Sequence, residues 1–356
     1  MTSSTRAGGD RRRATIEDVA TAAGVSVATV SRALRGLPNV AFSTRELVRT
    51  VADSLDYHAD PAAARLATGR SRAIGIAVPL LNGWYFSQVV AGAEAVCTEA
   101  GYDLIVMGVT GDEARRHLLD GRSAVHRRVD ALVMVDIPLT PEETERLAGR
   151  GLPVVTVGGI TDRFPSVGID DVEVGRLATA HLIGLGHRRI ALLGGQPEDP
   201  LGFDVPDLRR HGYELAHVEA GLTVDPRLLV GGNFSVTGGY EAMTALLGLG
   251  TPPTAVFAMS DEMAFGALWA LRVLGLRSPQ DLSVIGVDDH DVSAAMDLTT
   301  VRQRVADHGA RAARLLIDAL TGATLTAMRH QSPVELVQRG TTGPPTDHNP
   351  ETPRKP

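Results

Sequence analysis

From Ala73 onward the chain repeats one pattern: an unbroken apolar run, a turn, then a stretch whose apolar positions fall three and four apart. The runs are "AIGIAV" (73–78), "DLIVMGV" (103–109), "ALVMVDI" (131–137), "PVVTVG" (153–158), "RIALLGG" (189–195), "AVFAMS" (255–260) and "LSVIGVDD" (282–289). They are continuous rather than alternating, which predicts strands buried on both faces. Segments such as "SQVVAGAEAVCTEAG", "EVGRLATAHLIGLG" and "DEMAFGALWALRVLG" predict the intervening helices. Repeated strand–helix units require parallel sheets with right-handed crossovers. About ten such strands are too many for one comfortable sheet, so two doubly wound α/β lobes with a cleft between them are predicted.

Residues 15–60 follow a different pattern, helical throughout and without a strand-like run. "TIEDVATAAGVSVATVSRAL" reads as two short helices joined by a tight corner. Thr15 is placed to cap the first, with Asp18 as its reciprocal partner. Ile16, Val19, Ala20 and Ala23 fall on one face, Gly24 supplies the corner, and Ser26 caps the second helix. There Val30, Ala33 and Leu34 form the inward stripe, leaving Val27, Ala28, Ser31 and Arg32 outward. A third helix, "STRELVRTVADSLDY", is expected to open on a capping box of Ser43 and Glu46. It should bury Leu47, Val48, Val51 and Leu55.

This pattern supports two readings: a small three-helix bundle with no ligand, or a helix-turn-helix whose second helix enters a DNA major groove. Val27 and Ala28 are small enough for close approach to thymine methyls, and Arg32 matches the O6/N7 edge of guanine. The next segment, "DPAAARLATGRS" (60–71), is too polar and Ala-rich to build a core of its own. It reads either as a linker or as a hinge helix that folds on DNA. In the second case Leu66 is a wedge in the minor groove, and Arg65, Arg70 and Arg72 lie near phosphates.

Charge sharpens the contrast between head and body. The net charge of the 356-residue chain is −7, with 35 basic and 42 acidic residues. Residues 1–70 hold ten Arg against seven Asp and Glu, +3, so the remainder carries −10. A basic head on an acidic body is what approach to a polyanion by the head alone requires. No apolar run reaches the ~20 residues of a membrane span, and the polar N-terminus lacks the apolar core of a signal peptide. The single cysteine, Cys97, sits at an apolar helical position and reads as a buried small side chain in a cytoplasmic protein. Residues 1–14 and 341–356 are Gly/Ser/Arg-rich and Pro-rich, and both read as disordered tails.

In the body, no G-x-S-x-G, G-x-x-x-x-G-K-[ST] or H-E-x-x-H motif is present. "VDDHD" (287–291) gathers carboxylates and an imidazole, but no second ligand cluster with recognisable spacing accompanies it, so neither a metal nor another cofactor is expected. His181 and His187 read as packing and capping residues. Polar and aromatic residues do collect at the strand ends, where an open α/β lobe binds ligand. They are Trp84, Tyr85, Phe86, Asp136, Asp170, Arg209, Phe234, Ser260 and Asp288. Acids, an Arg fork and aromatic faces suit a polyhydroxylated ligand, because each hydroxyl needs a donor and an acceptor.

"ATIEDVATAAGVSVATVSRAL", "LDYHADPAAARLATGRS" and "IGIAVP" resemble the headpiece and hinge of the LacI/GalR family of bacterial transcriptional regulators. "IDDVEVGRLATAHLIGLGHRRIALLGG", "AVFAMSDEMAFGALWALRVLGLRSPQDLSVIGVDD" and "LTTVRQRVADHGARAARLLI" resemble that family's periplasmic-binding-protein-like sensor. The resemblance runs from about 15 to 340 and implies a nucleoid-associated, effector-controlled repressor, not an enzyme. It implies a homodimer or tetramer on double-stranded, pseudo-palindromic operator DNA. Thr15, Ser26, Val27, Ala28, Thr29, Ser31, Arg32, Ala63 and Leu66 become the DNA contacts, with Val27, Ala28 and Arg32 reading bases and Leu66 the wedge. Asp170, Arg209, Phe234, Ser260 and Asp288 become pocket residues, beside Tyr85, Phe86 and Asp136. Relatives' pockets commonly take a sugar, while Arg209 also suits the purine-binding branch.

The implied domains are a helix-turn-helix at 15–60, a hinge at 61–72 and a sensor at 73–340. Within the sensor the first lobe takes 73–169 and 303–322, and the second takes 170–302 and 323–340. Crossings are thus expected near Asp170, near Gln303 and after Gly322. The helix "FSQVVAGAEAVC" is expected in the dimer interface. Cleft closure would rotate the first lobes and misplace the hinges.

Overall fold

The computed structural model describes residues 14–34, 36–57, 70–120, 128–195, 202 and 204–346. The chain divides into two compact units, one ending at Ser71 and the other starting at Arg72.

The first unit holds helices α1 (Ile16–Ala23), α2 (Val27–Leu34) and α3 (Phe42–Ser54). Thr15 and Asp18 form the expected reciprocal box, and Gly24 takes the left-handed conformation (φ 65°) at the corner. Ser26 Oγ accepts from the Thr29 N–H at 3.1 Å, capping α2. The core is Val19, Ala20, Ala23, Val30, Ala33, Val48 and Ala52, with Leu34 partly buried against it. Helix α3 departs from the sequence reading. It starts two residues early with Ala41 as an unassisted cap, so the Ser43–Glu46 box does not form. Leu47 and Leu55 face outward, because the small Ala52 and Val48 carry the contact with α1 and α2.

The second unit contains two six-stranded sheets of matching topology. The first lobe is built from β1 (Ala73–Val78), α4 (Trp84–Glu99), β2 (Asp103–Gly108), α5 (Gly111–Leu119), β3 (Ala131–Val135), α6 (Pro141–Ala148), β4 (Val154–Val157) and β5 (Ser166–Gly168). The chain then crosses to α7 (Asp171–Gly184), β6 (Ile190–Gly194), α8 (Val205–Glu219), β7 (Leu229–Gly231), α9 (Val236–Leu247), β8 (Ala255–Ala258), α10 (Asp261–Val273), β9 (Ser283–Asp288) and β10 (Thr299–Arg302). It returns as α11 (Val305–Leu320) and β11 (Arg329–Gln331), and ends the sheets with β12 (Glu335–Val337).

The strand orders are β11-β5-β4-β3-β1-β2 and β12-β10-β9-β8-β6-β7. Every pairing is parallel except β10 with β12. All seven continuous apolar runs lie in strands, and β1, β3, β4, β6, β8 and β9 are buried along their whole length.

The last crossing comes later than expected. β11 pairs in parallel with β5 in the first lobe, Arg329 opposite Ser166, so the chain changes lobes between Gln331 and Glu335 rather than after Gly322. Residues 341–346 are also not a loose tail. Thr341 and Thr342 are buried, and Thr341 Oγ1 donates to the Val284 carbonyl at 2.7 Å. His187 and His181 contact this stretch through the Gly343 carbonyl and the Thr342 hydroxyl, as packing rather than ligand residues.

Helix α4 packs on α11 with backbones nearly touching. A Cβ on Gly92 would sit 1.8 Å from the Ala306 carbonyl, and one on Gly309 would sit 1.8 Å from the Val89 carbonyl. Glycine alone permits that approach. The apolar face of α4, Val89, Ala93, Val96 and Cys97, is therefore spent on the protein's own core.

Candidate functional site

The outward face of α2 is as the spacing required. Val27, Ala28 and Arg32 are exposed, while Thr29 and Ser31 are half-buried. The Ser26 and Thr29 hydroxyls lie 2.8 Å apart and stabilise the start of the helix. Thr15 caps α1 at the other exposed end of the pair. Ala63 and Leu66, with Arg65, lie outside the described residues.

The second unit encloses a cavity of about 400 Å³ between its lobes, at the carboxyl ends of the strands. Tyr85, Phe86, Asp136, Arg209, Phe234, Ser260 and Asp288 all line it, drawn from both lobes. Two sequence candidates do not. Asp170 is used as the cap of α7, its Oδ1 accepting from the Glu173 N–H at 3.1 Å, and Asp171 lines the cavity in its place. Trp84 turns aside and joins the lobes outside the lining, its ring stacked at 4.6 Å on His290.

Sequence reasoning also missed Asn233, Glu262, Gln303 and His308, which complete the polar wall. Gln303 was expected only as a crossing point, and His308 looks like a core position of an amphipathic helix. Asp261, buried beside the site, holds the loop after β9. It accepts from the His290 N–H at 2.9 Å, Ser293 Oγ at 2.5 Å and Thr300 Oγ1 at 2.7 Å. Its burial still raises its pKa to about 6.

Several lining residues take the left-handed backbone region: Asp136 (φ 45°), Asn233 (51°), Phe234 (48°) and Asp288 (118°). Such conformations cost energy for side chains like Phe and cluster where a strand end must aim a group at a ligand. Gly158 serves Asp136 directly, since a Cβ there would lie 1.6 Å from Asp136 Oδ1.

The electrostatics centre on Arg209, which is buried. Its Nε donates to Asp171 Oδ1 at 2.9 Å, and its guanidinium also donates to the Met259 carbonyl. Ser260 accepts from the Met263 N–H at 3.3 Å as the cap of α10. Burial raises Asp136 to about 7, assisted by the Asp171 charge and opposed by Arg209 and the Tyr85 hydroxyl. Burial raises Asp288 further, to about 8, against Arg209 and the Gln303 amide, which donates to it at 2.6 Å. Near neutral pH these two carboxyls hold protons for a substantial fraction of the time, so each can donate as well as accept. Among the described residues, no group of three or more His, Cys, Asp or Glu is placed to hold a metal ion. No described helix is long and apolar enough to cross a membrane.

Comparison with known proteins agrees with both halves. Residues 15–60 match the model for bacterial regulatory proteins of the lacI family, and residues 179–342 match that for the periplasmic binding protein-like domain. Catabolite control protein A of Priestia megaterium is 33% identical over 333 residues, 92% of this chain and 99% of that protein. The chain belongs to the lacI family. It is a DNA-binding transcriptional regulator with a helix-turn-helix and a two-lobed periplasmic-binding-protein-like sensor.

Other lacI-family relatives include the HTH-type transcriptional repressor CytR of Escherichia coli K12, 33% identical over 92% of this chain and 96% of its own. The HTH-type transcriptional regulator CelR of Thermobifida fusca is 34% identical over 90% and 95%. Among solved structures, the lac repressor dimer bound to operator and the anti-inducer ONPF superposes with a TM-score of 0.82 at 30% identity. It covers 93% of this chain and 100% of that one. A CelR–cellobiose complex gives 0.68 at 30%, covering 92% and 100%. CytR and CelR are named as a transcriptional repressor and a transcriptional regulator.

Proposed function

We propose that this regulator is a homodimeric repressor whose operator affinity is set by an uncharged sugar or sugar derivative held between the lobes. One observation carries the choice of ligand class. Four carboxyl groups, Asp136, Asp171, Glu262 and Asp288, face one guanidinium, Arg209, around a cavity that also presents Tyr85, Phe86 and Phe234. Carboxyls and carboxylates bind hydroxyls in both senses, and aromatic faces suit the C–H faces of a pyranose or furanose. The one guanidinium among the lining residues is already paired with Asp171, which opposes phosphate- and carboxylate-bearing ligands. A purine reading would need Arg209 for the base. Two of its N–H groups are already spent on Asp171 and Met259, which favours the sugar.

On the DNA side, Val27, Ala28 and Arg32 read bases from α2. Thr15, Ser26, Thr29 and Ser31 hold the backbone, and Ala63 and Leu66 form the hinge contact. The lac repressor relative is a dimer on operator, which supports the same assembly here.

The test is calorimetry of the full chain against D-ribose, D-galactose, cellobiose and glucose 6-phosphate, with adenosine and hypoxanthine as the competing class. Gel-shift titration on selected DNA sites then follows with and without the sugar that binds. Binding of a neutral sugar that changes DNA affinity supports the proposal. Binding of a nucleoside or base alone overturns the ligand class.

A further inference from the structure

His308 is 1% exposed and lines the cleft cavity, yet neither of its ring nitrogens has a hydrogen-bond partner. Such double orphaning is rare, because a buried donor or acceptor that loses water and gains nothing in exchange is costly. Several polar groups of the wall already have protein partners. Arg209 is paired with Asp171, Asp288 with the Gln303 amide, and Ser260 with the Met263 N–H. Asp136 is helped against its burial by the Arg209 charge and the Tyr85 hydroxyl. His308 thus stands out as an unspent group facing the cavity.

The ring has little room to withdraw. The next residue, Gly309, is pressed against the Val89 carbonyl of α4, so α11 cannot shift without opening the core of the first lobe. Burial also holds the imidazole below its usual pKa, with the Asp307 and Asp171 charges opposing only in part. Near neutral pH the ring is therefore neutral, with one N–H donor and one bare acceptor. A group of that kind complements a hydroxyl and discriminates poorly against neither end of it.

We infer that His308 is a ligand-contacting specificity residue on the first-lobe side of the cavity, taking a hydroxyl of the bound sugar at a ring nitrogen. The inference rests on the sugar reading above. It adds a contact that ties α11, in the first lobe, to a ligand that also faces Arg209 and Asp171 of the second lobe.

The experiment compares full-length wild type, His308→Leu and His308→Gln by calorimetry against D-ribose, D-galactose and cellobiose, with unliganded Tm measured for each. His308→Leu removes the orphaned polar atoms, so its unliganded Tm is expected to equal or exceed that of wild type. Its affinity for the sugar that binds wild type should fall about tenfold to a hundredfold. His308→Gln keeps a donor and an acceptor and should stay within about threefold of wild type. In wild type labelled with ¹⁵N-histidine, that sugar should also move the His308 ring resonances. Unchanged sugar affinity in His308→Leu, or ring resonances that do not respond, overturns the inference alone. Failure of wild type to bind any of the three sugars overturns the sugar reading and this inference together.

Discussion

Trp84, at the start of α4 in the first lobe, donates its indole N–H to the Asp291 carboxylate of the second lobe at 3.2 Å. The same indole stacks its ring on His290. One side chain therefore makes two contacts across the cleft, beside the cavity rather than in it. The chain has two tryptophans, and Trp269 lies half-exposed against Tyr240 on the second lobe. In a Trp269→Phe protein, emission from Trp84 is expected to change when sugar closes the cleft. Trp84→Phe should lose that signal and weaken sugar binding about threefold to tenfold, the low end for a partly solvated charge-assisted bond. A Trp84 signal indifferent to saturating sugar would show that its contacts do not track closure.

Arg209 and Asp171 form the most buried ion pair of the cleft, their side chains 6% and 12% exposed. Desolvation makes such a pair a poor source of net stability, but removing one partner leaves the other charge stranded. Arg209→Ala should destabilise the protein by about 3–5 kcal/mol, aggravated by the loss of the bond to the Met259 carbonyl. The double variant Arg209→Met, Asp171→Leu should recover most of that loss while abolishing ligand binding. Urea denaturation of wild type, both single variants and the double variant measures the coupling, and additive losses would mean that the pair is not coupled.

Asp288 carries the clearest pH signature. Its pKa stands at about 8 in the folded protein against 3.8 for a free side chain, because burial outweighs the help of Arg209 and Gln303. The folded state thus binds this proton more tightly than the unfolded state does. The associated stability is full below about pH 4 and is lost as pH rises through about 8, at no more than about 1.4 kcal/mol per pH unit. Asp136, raised to about 7, acts in the same direction. Asp288→Asn keeps the shape and removes the proton, so its Tm should vary less than wild type between about pH 5 and about pH 8. A parallel Tm profile for the two proteins would remove Asp288 as the source.

What the sequence made legible follows from where the physics is local. Continuous apolar runs mark buried parallel strands because both of their faces must be covered, and every such run is a strand here. The α1–α2 corner is equally readable, since Thr15, Asp18, Gly24 and Ser26 act within a few residues of themselves. β11 escaped because it is the polar edge "RHQ", ordered by pairing with a strand more than 160 positions earlier rather than by its own pattern. Asp170 and Asp171 show the same limit within one step. Both acids stand at the strand end, but the first residue of the pair is used as the helix cap and only the second meets Arg209. His308 sits on the buried stripe of α11 with Val305, Gly309 and Ala312, so periodicity assigns it to the core. Only the spatial neighbours show that its ring meets a cavity.

Arg32 tests the face of α2 that the bundle leaves free. The residue is exposed and makes no ion pair among the described residues, whereas Val30 and Ala33, on either side of it, are fully buried. Arg32→Ala should therefore leave Tm within about 0.5 kcal/mol of wild type in stability. On a half-site with a G·C pair at the contacted position it should cost about 1–3 kcal/mol in binding, and the preference for that pair should relax. Ser26→Ala should instead lose about 1 kcal/mol of stability through the uncapped helix and, as a proposed backbone contact, weaken all sites alike without changing the base preference. Gel-shift titrations on sites differing at that one pair, read beside thermal melts, separate the two effects. If Arg32→Ala weakens every site equally, the guanidinium binds phosphate, and base discrimination by α2 must come from Val27 and Ala28.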